Sequence, residues 1–97
     1  MPVQTIPGVG EILEEDLLGE VATPWRVILY NDDVHSFEEV VLQVQKATGY
    51  SLERAESITF EAHSQGRAVA FTGDKEECRR VATVLREIRL QVEIDEA

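Results

Sequence analysis

The hydrophobic pattern from Pro24 onward begins with a strand and a helix. Residues 25–30 (WRVILY) are rich in β-branched and aromatic side chains, which is typical of a strand. The turn-forming sequence Asn-Asp-Asp follows at residues 31–33. Ser36 and Glu39 have the spacing of a capping box and predict the start of a helix, which Gly49 is placed to end. The apolar face of this helix recurs at helical spacing and consists of Phe37, Val40, Val41 and Val44.

The rest of the chain repeats this pattern of capped helices and short strands. A second helix is predicted from Ser51 to Gly66, and its apolar stripe consists of Leu52, Ala55, Thr59 and Ala62, with Ile58 and His63 at its margins. The apolar run 67–71 predicts a buried strand. A second capping-box pattern, Asp74 with Glu77, predicts a third helix, whose core face consists of Cys78, Val81, Ala82, Leu85 and Ile88. A half-exposed strand follows, in which the inward residues are Leu90, Val92 and Ile94.

These elements predict an α+β fold with the order β-α-α-β-α-β. We expect a three-stranded antiparallel sheet with the helices on one face, which is a two-layer α/β sandwich. Residues 24–97 would form this domain. Its stability has to come from a small hydrophobic core, because Cys78 has no second cysteine to pair with.

Residues 1–23 differ in composition from the rest of the chain. They contain five acidic and no basic residues, which is half of the net charge of -10. Their high content of glycine and proline disfavours regular structure, so we expect a flexible acidic N-terminal extension. Two interpretations stay open for it: a solvated tail without a role, or a segment that another protein engages. The second is favoured by the apolar residues set among the acids, which are Ile12, Leu13, Leu17 and Leu18.

The composition also restricts the classes of partner. A pI near 4.5 argues against a protein that binds the phosphate backbone of nucleic acids. No apolar run approaches the roughly 20 residues that cross a bilayer, and the N-terminus lacks the pattern of a secretory signal. We therefore expect neither a nucleic-acid nor a membrane partner. A lone cysteine favours a cytosol-like compartment.

Sequence motifs for catalysis and metal binding are missing. The GxG at residues 8–10 does not follow a predicted strand, so it is not a phosphate loop. His35 and His63 are far apart in sequence and have no cysteine pair beside them, which argues against a zinc site. The carboxylates of Asp32 and Asp33 are adjacent, and neighbours in sequence usually point in different directions. We expect no catalytic residue, no metal and no cofactor, and hence not an enzyme.

Four short strings together resemble the ClpS family of adaptor proteins. They are V-I-L-Y-N-D-D at 27–33, E-V-V at 39–41, E-R-A at 53–55 and A-H-x-Q-G at 62–66. The resemblance runs from about Trp25 to the C-terminus and implies the same fold. It also implies a non-enzymatic adaptor that binds N-degrons, which are proteins with bulky hydrophobic N-terminal residues. Such an adaptor delivers them to a Clp-type AAA+ ATPase, ClpA- or ClpC-like, for degradation by its protease under the N-end rule.

The resemblance implies roles for individual residues. Asn31, Asp32 and His63 correspond to the residues that hold the α-amino group of the bound N-terminus, and Asp33 and His35 lie near them. An α-ammonium has three donors and a positive charge, so an amide oxygen, a carboxylate and a neutral imidazole are suitable acceptors. The pocket for the first side chain maps to Phe37, Val40, Thr59, Ala62 and Leu90.

The chain departs from the family pattern around this pocket. Phe37 and Thr59 stand where many members have Met, which leaves open the preference among Phe, Leu, Trp and Tyr. His35 stands where a small hydroxyl residue is common. A plain core role is an alternative for the mapped residues, chiefly for Val40 and Leu90. The hydroxyl of Thr59 is a poor core filler and favours the pocket.

A contact with the ATPase is expected on the third helix. The mapping points to Arg80, beside Asp74 or Glu76, although the link from residue 67 to residue 73 is one residue shorter than in the family. We expect a monomer in the bacterial cytoplasm, with the plastid stroma as the alternative.

A protein-docking domain of the same fold, without recognition of N-terminal residues, is the competing interpretation. The joint presence of Asn31, Asp32 and His63 favours the adaptor, because a docking domain does not require that combination.

Overall fold

The structure is a computed structural model that describes residues 23–97. In chain order its elements are β1 (Trp25–Tyr30), α1 (Phe37–Thr48), α2 (Leu52–Gln65), β2 (Arg67–Gly73), α3 (Lys75–Arg86) and β3 (Val92–Glu96). The predicted order of strands and helices is therefore confirmed. The predicted N-terminal extension lies outside the described residues, apart from Thr23.

The three strands form an antiparallel sheet in the order β2-β1-β3, with β1 in the centre. Val27 and Leu29 on β1 are fully buried against the helices. The alternate residues of the same strand form pairs on the opposite face. Arg26 is bonded to Asp95 through two contacts of 3.0 Å, and the Tyr30 hydroxyl donates to Glu93 at 2.7 Å. The sheet thus has one packed and one solvent-facing side, as predicted for a two-layer α+β fold.

The hydrophobic core lies between the sheet and the three helices. Its largest fully buried side chains are Leu29, Leu85, Val27, Val44, Val81 and Cys78. Burying each such aliphatic side chain contributes about 1.5–3 kcal/mol. Burial also raises the pKa of the Cys78 thiol, so this group is a core residue and not a nucleophile.

The helix ends follow the caps that the sequence predicts. At the start of α1, the Ser36 hydroxyl accepts from the Glu39 amide at 3.1 Å, and the Glu39 carboxylate accepts from the Ser36 amide at 2.8 Å. Asp74 and Glu77 form the equivalent box at α3. Gly49 and Gly66 end α1 and α2 with φ angles of 78° and 95°. These left-handed conformations favour glycine because other residues place Cβ too close to the backbone.

The end of α3 differs from the prediction. The helix stops at Arg86, and Ile88 packs against the core from the turn that follows. Arg89 in this turn has a φ of 67°. The side-chain amide of Gln43, a buried polar residue on α1, donates to the Val84 carbonyl at 2.7 Å and satisfies one of the last carbonyls of α3.

The two outer strands also differ from the predicted bounds. β2 continues to Gly73, two residues beyond the predicted end. A bulge interrupts its pairing with β1, because Phe71 is opposite Val27 while Val69 is opposite Ile28. β3 begins at Val92, so Leu90 precedes the strand instead of belonging to it. None of the helices in residues 23–97 is long and apolar enough to span a bilayer.

Candidate functional site

The site begins where the central strand meets the end of α2. The Asn31 amide, directly after β1, donates to the Gly66 carbonyl at 2.9 Å. Gly66 is the C-terminal cap of α2, and its own amide donates back to Ala62. This backbone bond holds the loop after β1 against the last turn of α2, and it explains how two sequence motifs far apart in the chain come together.

A cavity of about 260 Å³ lies between this loop, α1 and α2. It is lined by Leu29, Tyr30, Asn31, Asp32, Asp33, His35, Phe37, Val40, Thr59, Ala62 and His63. Nine of these residues are among the ten for which the sequence predicts an amine-site, near-site or pocket role. The structure therefore brings them to one place, and their binding roles stay predictions.

The carboxylate of Asp32 lies in the cavity and has three nitrogen neighbours at one of its oxygens. Its Oδ2 accepts from the His35 amide at 2.6 Å and from the Val34 amide at 3.3 Å, and it lies 2.7 Å from Nδ1 of the His35 ring. Burial alone raises the pKa of this carboxyl group, but the hydrogen bonds from His35 and Val34 outweigh it and hold the pKa below its usual value. Asp32 is therefore ionised at neutral pH and supplies a fixed negative charge.

Two further polar side chains line the cavity beside Asp32. The side-chain nitrogen Nδ2 of Asn31 donates to Oδ1 of Asp33 at 3.2 Å. This orientation leaves the side-chain carbonyl oxygen of Asn31 as an acceptor for another group. His63 lies in the last turn of α2, exposed to solvent. Together the three side chains form a cluster of acceptors around a carboxylate.

The remaining walls are apolar. Val40 on α1 and Ala62 on α2 are almost fully buried, whereas Phe37 at the start of α1 is 43% exposed. Thr59 is 5% exposed, and its hydroxyl donates to the Ala55 carbonyl of its own helix at 2.8 Å. Because that bond satisfies the hydroxyl, Thr59 is accommodated in a buried position, and its polarity is not by itself a sign of a ligand.

Leu90 does not line this cavity. It is 3% exposed and packs in the hydrophobic core, which is the alternative that the sequence left open. Leu29 and Tyr30 line the cavity in its place, although sequence reasoning did not select them. Their position at the end of β1, directly before Asn31, was the available signal. The Tyr30 hydroxyl is committed to Glu93, and this hydrogen bond raises the pKa of the phenol.

The three residues predicted to contact an ATPase lie on or next to α3, outside the cavity. Asp74 is the N-cap of α3 and accepts from the Glu77 amide at 2.7 Å. Glu76 lies 3.9 Å from Arg79, and Arg80 is exposed. No contact in the described residues tests their role, which stays a prediction.

The arrangement is suited to binding a small cation with an apolar substituent. The acceptor cluster would face the cation, and the apolar walls would surround the substituent. In the part of the chain that the structure describes, no group of three or more His, Cys, Asp or Glu side chains could hold a metal ion.

Comparison with known proteins agrees with this geometry. Residues 20–93 match the family model described as ATP-dependent Clp protease adaptor protein ClpS. The ATP-dependent Clp protease adapter protein ClpS of Rhodococcus opacus is 32% identical over 73 residues, covering 75% of this chain and 63% of that protein. The protein of the same name from Streptomyces coelicolor is 36% identical over 61 residues, covering 63% and 64%. The chain thus spans less than two thirds of the length of these relatives.

A solved structure shows the same fold. Agrobacterium tumefaciens ClpS2 bound to L-phenylalaninamide superposes with a TM-score of 0.72 at 18% identity, covering 77% of this chain and 98% of that one. The proteins of the matching family are adaptors and not enzymes. Since the family model covers most of the chain, including both halves of the cavity, the chain belongs to the ClpS family of Clp protease adaptors.

Proposed function

We propose that this protein is a non-enzymatic adaptor that binds polypeptides by a free α-amino group and a bulky hydrophobic first side chain. It would deliver them to a Clp-type AAA+ ATPase, ClpA- or ClpC-like, for degradation. One observation supports this most directly. A single cavity joins the acceptors Asn31, Asp32 and His63 to the apolar walls formed by Phe37 and Val40.

The polar side of the cavity fits an α-ammonium group. An ammonium has three donors and one positive charge, and the cluster offers a carboxylate, an amide oxygen and an imidazole nitrogen. Asp32 is ionised at neutral pH, and hydrogen bonds between charged groups are about twice as strong as neutral ones. The charge of Asp32 is the main reason to favour a free N-terminus over an internal segment of a chain.

The apolar side fits the side chain of the first residue. The cavity of about 260 Å³ continues from the acceptors to Phe37, Val40 and Ala62. The structural relative from Agrobacterium is bound to L-phenylalaninamide, which has an amine next to an aromatic side chain. The same chemistry would suit this cavity, with the exposed ring of Phe37 at its border.

The partners and location follow from the family. An adaptor has to contact its ATPase, and we assign this contact to the exposed residues Arg80, Asp74 and Glu76 at α3. We propose that the protein acts as a monomer in the cytoplasm of a bacterium, since the relatives are bacterial proteins.

Peptide titration tests the proposal. The peptides begin with Phe and carry either a free or an acetylated α-amino group. Acetylation removes the charge and leaves Asp32 without its partner. At roughly 1.5–3 kcal/mol for each hydrogen bond to a charged group, the loss of two should weaken binding by about a hundredfold or more.

A peptide that begins with Gly is the matched control for the side-chain pocket and should bind more weakly than the Phe peptide. Equal binding of free and acetylated peptides would contradict the proposal and favour a docking domain that does not recognise N-terminal residues.

A further inference from the structure

His35 contacts the carboxylate of the proposed amine site through both its ring and its backbone amide. Its ring Nδ1 lies 2.7 Å from Oδ2 of Asp32, and its backbone amide donates to the same oxygen at 2.6 Å. The side chains of His35 and Asp32 are only 18% and 15% exposed. A short contact in a mostly buried place restricts both side chains to one arrangement.

The hydrogen bonds divide the two oxygens of Asp32 into different roles. Oδ2 has three nitrogen neighbours, which are the His35 amide, the His35 ring and the Val34 amide. Among residues 23–97, no hydrogen bond is formed to Oδ1. Since Asp32 is ionised, Nδ1 of His35 has to carry the proton of their hydrogen bond. In the neutral ring, Nε2 then has no proton.

We propose that His35 is a positioning residue of the amine site: it holds Oδ2 of Asp32 in the loop so that Oδ1 faces the α-ammonium, and its protonation weakens peptide binding. This inference rests on the proposed function. It assigns to His35 an orienting role that is separate from the acceptors Asn31 and His63.

The effect of protonation follows from charge. A neutral His35 leaves the full charge of Asp32 to the ammonium. An imidazolium would neutralise Asp32 and repel the ligand, so a proton on His35 and a bound N-terminus oppose each other. The other titratable groups that line the cavity are Asp33 in the same loop, Tyr30 on β1 and His63 on α2. Glu39 on α1 accepts from the amide of Ser36, the residue after His35. Because His63 is a second imidazole in the same cavity, the test has to separate the two histidines.

The experiment uses the full chain and the Phe peptide with a free amine. The variants are His35→Ala, His35→Asn and His63→Gln, with the double variant His35→Asn/His63→Gln. Asn can place an N–H near the position of Nδ1 but does not titrate. At pH 7.5 we expect His35→Ala to bind about tenfold more weakly and His35→Asn to restore affinity to within about threefold.

The pH profile distinguishes orientation from a merely structural role. Between pH 7.5 and 5.5, affinity should fall about fivefold or more in the unaltered protein, less in His35→Asn, and hardly at all in the double variant. By reciprocity, binding of the free peptide should move the midpoint of the His35 ring resonances to lower pH. The acetylated peptide should leave this midpoint unchanged.

The outcomes separate this inference from the proposed function. If the unaltered protein binds the free peptide but His35→Asn has the same pH profile and the midpoint does not move, His35 is structural and the adaptor function stands. If the unaltered protein does not bind the peptide, both fail. Thermal unfolding monitors whether each variant folds. Should His35→Ala unfold, the midpoint measurement on the unaltered protein decides alone.

Discussion

The carboxylate of Asp32 combines a binding role with a structural one. It accepts two backbone amides of the loop that follows β1, in the manner of the Asp residues that close turns. The loop conformation therefore depends on the same charge that is proposed to hold the ligand. A change at Asp32 alters stability as well as affinity, and the two effects have to be measured separately.

Asp32 should make stability depend on acid pH. Its pKa is lower in the folded protein than in the unfolded chain. Its contribution is present above the unfolded value of about 3.9 and is lost as the pH falls through the folded value. Urea unfolding at pH 6.5 and pH 3 should show a larger loss of unfolding free energy in the unaltered protein than in Asp32→Asn. Asp33→Asn controls for removing one charge from the same loop, and an equal loss in the unaltered protein and Asp32→Asn would contradict this assignment.

The residue types of the site were predictable from sequence, but their bonding was not. The strings around Asn31 and His63 indicated which side chains to expect together. The contact between the His35 ring and Asp32 depends on the rotamers of both side chains. The Thr59 hydroxyl donates to a backbone carbonyl of its own helix, which also depends on its rotamer. Neither has a signature in residue spacing. The prediction that Leu90 belongs to the last strand was wrong, because an apolar residue before a strand continues the alternation of that strand. Its pocket role was implied by the family resemblance alone, and residue spacing could not test it.

Helix ends determine the geometry of the site at the scale of whole elements. The C-terminal cap of α2 at Gly66 contributes the carbonyl that binds Asn31. Gly49, the cap of α1, has the same left-handed conformation, and neither it nor any residue of its turn lines the cavity. A Cβ at either glycine would meet no atom within 4 Å. The two positions are therefore closely matched except for their relation to the site.

Because the two glycines are matched in this way, substituting each of them tests whether the hydrogen bond between Asn31 and Gly66 positions the site. Gly66→Ala and Gly49→Ala should each lower the unfolding free energy by about 1–2 kcal/mol, because a residue with Cβ is strained at these φ angles. Gly66→Ala should also weaken peptide binding by about threefold or more, which is roughly 0.6 kcal/mol. Gly49→Ala should leave the affinity unchanged. Equal affinities in the two variants would mean that the Asn31–Gly66 bond does not position the site.

Elements were predicted best where local chemistry sets their ends. The capping boxes at Ser36 and Asp74 and the glycine caps are encoded within a few residues, and the structure forms each of them. The predicted end of α3 was wrong, because Ile88 keeps the spacing of the apolar face although the helix has already ended at Arg86. The bulge in β2 arises from pairing with β1, which single-strand patterns do not contain.

The acidic N-terminal segment and the residues that line the cavity belong to different parts of the sequence. Among residues 23–97, every residue that lines the cavity belongs to 29–63. At the start of the domain, the Ala97 amide donates to the Pro24 carbonyl at 2.9 Å, and Trp25 is paired with Gly73 and with Glu96 in the sheet. A chain that starts at Thr23 therefore keeps these contacts and all the described residues that line the cavity.

A chain starting at Thr23 should fold and bind the Phe peptide to within about twofold of the full chain. It should fail to accelerate degradation of a Phe-initiated substrate by the assembled ATPase and protease, because the removed residues are those for which the sequence predicts a flexible extension, and an unfoldase engages flexible segments readily. The matched variant keeps the length but replaces the apolar residues Ile12, Leu13, Leu17 and Leu18 with Ser. Full delivery by the shortened chain would make residues 1–22 a solvated leader, and lost affinity would move the domain boundary.

The central position of β1 restricts how the cavity can open. The strand is bonded to β2 on one side and to β3 on the other, so freeing the root of the binding loop requires opening two ladders at once. Such an opening approaches global unfolding in cost. Fast motion is left to exposed side chains such as Phe37. Under the proposed function, a bound N-terminus would then be released while the adaptor stays folded.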